Sequence, residues 1–245
     1  MAKKRILILG GGFGGSYTAL QLDRTLARRP DLEVILIARE NYLLFTPMLH
    51  EVAAGELSPG DIVNPLRGML KHVHFVQGDV TRIDLDNRRV HYELGGLRRA
   101  HDIGFDHLVL AMGSETNYFG MTGVETHGVT MKSLGDDALL HNRMIALLEE
   151  AAAEHDSDMR RRLLTFVVAG GGFAGVETCG AMNDFLRESL RYYPEIDKAM
   201  LRLVLIHPGA TLLPDRDVFT RGLAFKRFEL AVIGIEDFFS TAVFP

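Results

Sequence analysis

Two stretches of this sequence carry glycines at a spacing that suits phosphate chemistry. Arg5-Ile6-Leu7-Ile8-Leu9-Gly10-Gly11-Gly12-Phe13-Gly14-Gly15 returns, 160 residues later, as Thr165-Phe166-Val167-Val168-Ala169-Gly170-Gly171-Gly172-Phe173-Ala174-Gly175. In each, an apolar run enters G-x-G-x-x-G and continues into a helical pattern. The first glycine of each copy permits the turn, the second lets a pyrophosphate approach the backbone, and the third lets the helix pack closely on the strand. The unpaired N–H groups and positive end of the helix then face the phosphates. One such motif is weak, because glycine-rich strand-to-helix turns also arise for packing alone. Two copies, each inside a credible β-α-β unit, make coincidence far harder to sustain. Two dinucleotides in one chain usually mean that one hands electrons to the other.

The acid expected to bind a ribose at the end of each unit's second strand has no simple counterpart. Ala38-Arg39-Glu40 stands at the first position and His207-Pro208 at the second. Glu40 is placed to reach a ribose and Arg39 an adenine or phosphate, although two charges just past a strand are more often solvated surface. His207 leaves NADH against NADPH open, since an acid there would favour a free 2′-hydroxyl. Cys179 is the only cysteine, which removes any disulfide framework, redox-active dithiol or thiolate cluster and points to a reducing, cytoplasmic setting. One turn into the second helix, it reads as a small packing residue. His72-x-His74 could place two imidazoles on one strand face, but no third ligand stands nearby and no metal site is expected.

The elements that must position these residues follow from hydrophobic patterning. Arg5 to Leu9 predicts a buried strand, Phe13 to Arg28 a helix, and Leu32 to Ala38 a second strand after the Pro30-Asp31 break. Val80 to Leu85 and Val90 to Leu94, separated by Asp86-Asn87-Arg88, predict a hairpin. His107 to Ala111 reads as another strand. Ser133 to about His155 reads as a long helix, with S-x-x-D capping-box spacing at Ser133 and Asp136 and an apolar face of Leu134, Ala138, Ile145, Leu148 and Ala152. Glu154 to Arg162 has the composition of a charged surface linker. The second unit then runs strand (Leu163 to Ala169), helix (Phe173 to about Leu190) and strand (Leu201 to Ile206), with one more helix expected over Asp217 to Glu229. The fold class is therefore α/β: two Rossmann-like dinucleotide-binding domains with parallel sheets, the first carrying an antiparallel hairpin insertion and the second incomplete. The expected division is 1–120, a connecting segment with a long helix over 121–162, and 163–245.

Composition sets the boundaries of function. With 27 Lys and Arg against 32 Asp and Glu, a net charge of −5 and 47% hydrophobic residues over 245 positions, the chain has the makings of a packed core. Its basic residues are dispersed, so neither a nucleic-acid-binding surface nor disorder is expected. Lys3-Lys4-Arg5 ahead of an uncharged stretch imitates a secretory signal, but five glycines between Gly10 and Gly15 would break its helix. No uncharged apolar run approaches the roughly 20 residues of a membrane-spanning helix.

Four segments together carry a family resemblance: Ile6 to Gly15; Arg39-Glu40-Asn41-Tyr42-Leu43-Leu44-Phe45-Thr46-Pro47-Met48-Leu49; Leu108-Val109-Leu110-Ala111-Met112-Gly113-Ser114; and Ala169 to Glu177. In this order, over about residues 4 to 214, the chain resembles the type II NADH dehydrogenases, flavoproteins of the pyridine nucleotide-disulfide oxidoreductase superfamily. The resemblance implies a first domain holding FAD and a second holding NADH, with hydride passing from nicotinamide to flavin and electrons onward to a membrane quinone. By the same resemblance, Gly10, Gly12 and Gly15, with Phe13 and Gly14 between them, would cradle the FAD pyrophosphate. Arg39 and Glu40 would lie on the adenosine side, and Val80 on the strand meeting adenine. Ala111 and Gly113 would close over the phosphates, and Thr46 and Pro47 would lie near the flavin ring. Gly170, Gly172, Phe173 and Gly175 would hold the NADH pyrophosphate. Glu177 would stand beside the nicotinamide, although an acid so placed also stabilises the start of its own helix. The resemblance further implies a cytoplasmic protein peripheral on the inner face of the cytoplasmic membrane, with a homodimer open to it. The paired cysteines of disulfide reductases and sulfide:quinone oxidoreductases are lacking.

Family members are considerably longer. Measured against their pattern, the end of the NADH domain, the returning first-domain segment with its Gly-Asp motif and the amphipathic membrane helices are not found after Pro214, and Ala231 to Pro245 reads as a degenerate or frame-altered end. Two alternatives to an active dehydrogenase follow: a remnant keeping a partial Rossmann-like fold without redox activity, and a nucleotide-binding module without turnover.

Overall fold

Ile6-Leu7-Ile8-Leu9 offers apolar side chains to both faces of a strand, the composition of a sheet covered on two sides. It forms the centre of β1 (Lys4–Leu9). The computed structural model describes residues 3–207, Leu212 and 231–234, and they fall into two units, one within 1–45 and 62–117 and the other within 46–61 and 118–245.

In the first unit β1 is followed by α1 (Phe13–Thr25), β2 (Leu32–Ala38) and the short β3 (Tyr42–Leu44). Helix α2 (Leu49–Ala53) belongs to the second unit. The first unit resumes with β4 (Val63–Pro65), α3 (Leu66–Met69), β5 (His74–Gln77), β6 (Asp79–Asp84), β7 (Arg89–Leu94), β8 (Arg99–Gly104) and β9 (His107–Leu110). A parallel sheet runs β5-β2-β1-β9, and β6-β7-β8 form an antiparallel sheet. Alternation along β1 and β2 decides what covers each face. Leu7, Leu9, Ile35 and Ile37 pack with Val80, Val90 and Tyr92 of the antiparallel sheet. Ile8, Val34, Leu36 and Ala38 pack with Ala19 of α1 and with Leu66, Leu70 and Val73.

The expected hairpin is present, its turn held by Asp84, which accepts from the Asn87 backbone and side chain, both at 3.0 Å. Its third strand, β8, escaped detection because Arg99-Ala100-His101-Asp102 is exposed and carries no apolar alternation.

The second unit contains α4 (Thr122–His127), α5 (Leu134–Ala153), α6 (Ser157–Leu163), β10 (Thr165–Ala169), α7 (Phe173–Ser189), β11 (Arg202–His207) and β12 (Ala231–Gly234). Strands β10, β11 and β12 are parallel. The helix expected over Asp217 to Glu229 lies outside the described residues. Val176, Cys179, Met182 and Leu186 of α7 share the core with Met144, Leu148 and Ala151 of α5 and with Leu203 and Leu205 of β11. Cys179 is buried there, and burial pushes its thiol up to about 12, the behaviour of an inert packing residue.

The segment expected as a charged linker forms α6 instead. Asp156 caps it by accepting from Asp158 and Met159 N–H at 3.0 and 2.7 Å, and Arg160, Arg161 and Arg162 oppose the helix dipole in its last turn.

Helix α5 starts at the expected capping box, with Ser133 Oγ accepting from Asp136 N–H at 3.2 Å and Asp136 accepting from Ser133 N–H at 3.0 Å. Its buried stripe differs in phase: Asp137, Met144, Leu148 and Ala151 face inward while Ala138 is exposed. Both Asp137 carboxyl oxygens are buried without a hydrogen-bond partner. Burial first, and the Asp136 charge second, push its pKa up to about 7. An unfolded chain releases this proton near pH 4, so between about pH 4 and pH 7 the carboxyl progressively costs the folded state stability. Asp137→Asn should therefore gain on the order of 2 kcal/mol over wild type between about pH 4 and about pH 8. Urea midpoints at the two pH values measure it, and an unchanged difference would mean that Asp137 is ionised in the fold.

Candidate functional site

The first glycine turn lies where β1 gives way to α1. Gly10 N–H donates to Ile37 O of β2 at 2.8 Å. At φ +108° a side chain is strained, and a Cβ on Gly10 would lie 2.1 Å from the Ala111 carbonyl oxygen. A Cβ on Gly15 would meet Gly10 O at 1.8 Å, so this glycine lets the helix close on the strand. Gly12 differs from both. It is the N-cap of α1 in extended backbone, nothing lies within 4 Å of its Cβ position, no side chain caps the helix and its first turn holds no acid. Free space in front of an uncapped helix start is the shape and charge that a phosphate requires. Ser16, missed in the sequence reading, ties the loop together: its Oγ donates to Gly11 O at 2.8 Å and its N–H to Gly12 O at 2.9 Å. Ser16 is fully buried, a property that the hydrophobic pattern of the sequence does not register.

Several expected residues collect around this turn. Ala111 N–H donates to Leu9 O at 2.9 Å, and Ala111 Cβ lies 3.5 Å from the Cβ positions of Gly14 and Gly15. Gly113 follows with φ +77°. Beyond β2, Arg39 Nε lies 3.4 Å from Asp79 Oδ1, and Gln77 Nε2 donates to Arg39 O at 3.2 Å, so Arg39 sits beside the strand carrying Val80. Glu40 is exposed and engages Tyr42, whose phenol is raised by burial first and by Glu40 second. The Phe13 ring stacks on Tyr17 at 6.3 Å and meets Phe45 edge-on at 5.6 Å. Thr46 and Pro47 open the 3-10 turn Thr46–Met48, which belongs to the second unit.

The second turn repeats the first in its backbone plan, although nothing lies within 4 Å of a Cβ on Gly170 where one on Gly10 would meet Ala111. Gly170, at φ +129°, donates its N–H to Ile206 O of β11 at 2.9 Å. A Cβ on Gly175 would meet Gly170 O at 1.9 Å, and nothing lies within 4 Å of a Cβ on Gly172, the extended and uncapped N-cap of α7. Phe173, the first residue of α7, is exposed. Glu177 lies one turn further along α7 and is also exposed, so it is available to a ligand and is outside the helix's first turn. The middle glycines, unassigned in the sequence reading, are required by packing: a Cβ on Gly11 would lie 2.8 Å from Ala38 Cβ, and one on Gly171 would lie 2.5 Å from His207 Cγ.

His74 lies on β5 but His72 precedes it, so the two are not on one strand face. Among the described residues no group of three or more His, Cys, Asp or Glu side chains gathers as a metal site, and no helix is long and apolar enough to cross a membrane.

Two β-α-β units with glycine turns of this geometry are the architecture of paired dinucleotide-binding folds. The family model for pyridine nucleotide-disulphide oxidoreductases matches residues 4–224, and the chain belongs to that family. It is similar to a type II NADH:quinone oxidoreductase of Mycobacterium tuberculosis, 35% identical over 216 residues that make up 86% of this chain and 45% of the relative. It is also similar to an external alternative NADH-ubiquinone oxidoreductase of Yarrowia lipolytica mitochondria, at 30% identity over 87% of this chain and 37% of the relative. Among solved structures, NDH2 of Plasmodium falciparum in complex with NADH superposes with a TM-score of 0.86 at 25% identity, over 95% of this chain and 48% of that one. The resemblance to type II NADH dehydrogenases and the expected α/β class are thus both borne out. The chain spans about half the length of the relatives it matches.

Proposed function

We propose that the chain holds FAD at its first glycine turn and NADH at its second, and serves hydride transfer from the nicotinamide to the flavin with a quinone as final acceptor. What carries this reading is the pair of open, uncapped helix starts behind Gly12 and Gly172, each built to take a pyrophosphate. FAD, when bound, supplies the chemistry of accepting a hydride equivalent and releasing electrons. The chain's own residues do the rest. Gly10 and Gly15 fix the first turn, and Ala111 and Gly113 border it. Arg39 and Val80 flank the adenosine side, with Glu40 at its rim. Thr46 and Pro47 serve the flavin ring, and Gly170, Gly172, Phe173 and Gly175 serve the NADH pyrophosphate. Residues 1–120 then form the FAD-binding part, 121–162 the connection and 163–245 the NADH-binding part. The names of the relatives support the quinone assignment, and a quinone acceptor places the protein at a membrane surface.

Exposed Glu177 is the residue we assign to the nicotinamide, where a carboxylate orients the ring or assists proton movement. Glu177→Gln should retain FAD and slow reduction by NADH by roughly a hundredfold. Stopped-flow reduction of the bound flavin measures it, and an unchanged rate would reduce Glu177 to a helix-surface acid.

The test of the whole reading is the visible spectrum of the purified chain, followed by anaerobic addition of NADH. A flavin spectrum that bleaches supports it. A flavin spectrum that NADH leaves unbleached supports a binding module without turnover, and a colourless protein supports a remnant fold.

A further inference from the structure

We infer that the second glycine turn accepts NADPH as well as NADH, and that His207 is the residue that sets this tolerance. The inference rests on assigning that turn to a nicotinamide dinucleotide. In a β-α-β dinucleotide unit, the end of the second strand normally presents a carboxylate that accepts from the ribose 2′-hydroxyl and repels a 2′-phosphate. Register places His207 there. Ala169 pairs with Ile206 and Gly170 N–H donates to Ile206 O, so the next residue, His207, stands level with the turn. Ala38 holds the matching place in the first unit, after Leu9 pairs with Ile37 and Gly10 N–H donates to Ile37 O.

The His207 ring is also fixed in its chemistry. Its Nδ1 accepts from Gly171 N–H at 3.2 Å, and its Cγ lies 2.5 Å from where a Cβ on Gly171 would be. With Nδ1 accepting, the proton of the neutral imidazole sits on Nε2, which becomes a donor. A carboxylate in this place only accepts hydrogen bonds and adds negative charge. An Nε2–H group donates equally well to a hydroxyl oxygen and to a phosphate oxygen. The side chain that ordinarily excludes a 2′-phosphate is thus replaced by one that tolerates it.

Titration of the full chain with NADH and with NADPH, followed by nicotinamide fluorescence, tests this. Wild type should bind the two with Kd values within about tenfold, and His207→Glu should weaken NADPH relative to NADH by about tenfold or more through like-charge repulsion. His207→Asn keeps an acceptor for Gly171 and a donor, and should keep the wild-type ratio. Should His207→Glu not fold, His207→Asp supplies the same charge. Tight NADH binding with NADPH weaker by about a hundredfold in wild type, or a ratio unmoved by the acidic variant, overturns the inference and leaves the nucleotide assignment standing. Failure of wild type to bind either nucleotide overturns both.

Discussion

Gly12→Val should yield a folded protein that retains no flavin. The substitution is permitted by the fold: Gly12 lies in extended backbone, and nothing approaches within 4 Å of its Cβ position. The space it fills is that through which a phosphate must reach the N–H groups at the start of α1. Hydrogen bonds to a charged phosphate contribute about 1.5–3 kcal/mol each, so losing two of them lowers affinity by roughly 10²–10⁴. Far-UV circular dichroism and thermal melting should match wild type, while the flavin absorbance after purification should vanish. Gly15→Val is the contrasting case. Its Cβ would lie 1.8 Å from the Gly10 carbonyl oxygen, so the helix must move and stability should fall by on the order of 2–4 kcal/mol. A Gly12→Val protein with full flavin content would remove the phosphate from this turn. A Gly15→Val protein of wild-type stability would mean that α1 does not close on β1 as described.

What was legible in the sequence was what repeats or what is apolar on both faces. The strands at Lys4–Leu9, Leu32–Ala38 and Thr165–Ala169 are hydrophobic runs ending in glycine or a break, and each lay where the patterning placed it to within two residues. The twin turns were legible because the same glycines occur twice before a helix. Elements whose residues face solvent were not. Strand β8 carries Arg, His and Asp outward, and α6 is announced only by its Asp156 cap and a basic last turn. The inward face of α5 departs from its apolar pattern because it includes a carboxyl group, Asp137, where patterning looks for an apolar side chain. In the glycine turns, the first, second and third motif glycines were legible from their spacing, and the glycines between the first and second were not. Gly11 and Gly171 are required by the side chains at the ends of β2 and β11, which only the strand register brings against them.

Asp23→Ala should destabilise the first unit by about 2–4 kcal/mol, although Asp23 lies on α1 beyond the glycine turn. Asp23 is buried, and one oxygen, Oδ1, accepts three backbone N–H groups: Lys71 at 2.9 Å, His72 at 2.6 Å and Val73 at 2.8 Å. These donors belong to the segment joining α3 to β5. Alanine leaves all three unpaired, and Val73 is buried away from water. Burial raises the Asp23 pKa, but the donors from His72, Val73 and Lys71 outweigh it and hold the carboxyl below the usual range. Its stabilisation is therefore complete above the unfolded value of about 3.9 and is lost as pH falls through the lower folded value. Urea midpoints at neutral pH should separate wild type from Asp23→Ala, and the gap should close towards the acid end. The effect should also reach the site. The segment leads into β5, where Gln77 supports the Arg39 carbonyl, so a displaced β5 shifts the adenosine-side residues and weakens flavin retention. Wild-type stability at neutral pH would mean that water replaces the carboxylate at all three N–H groups.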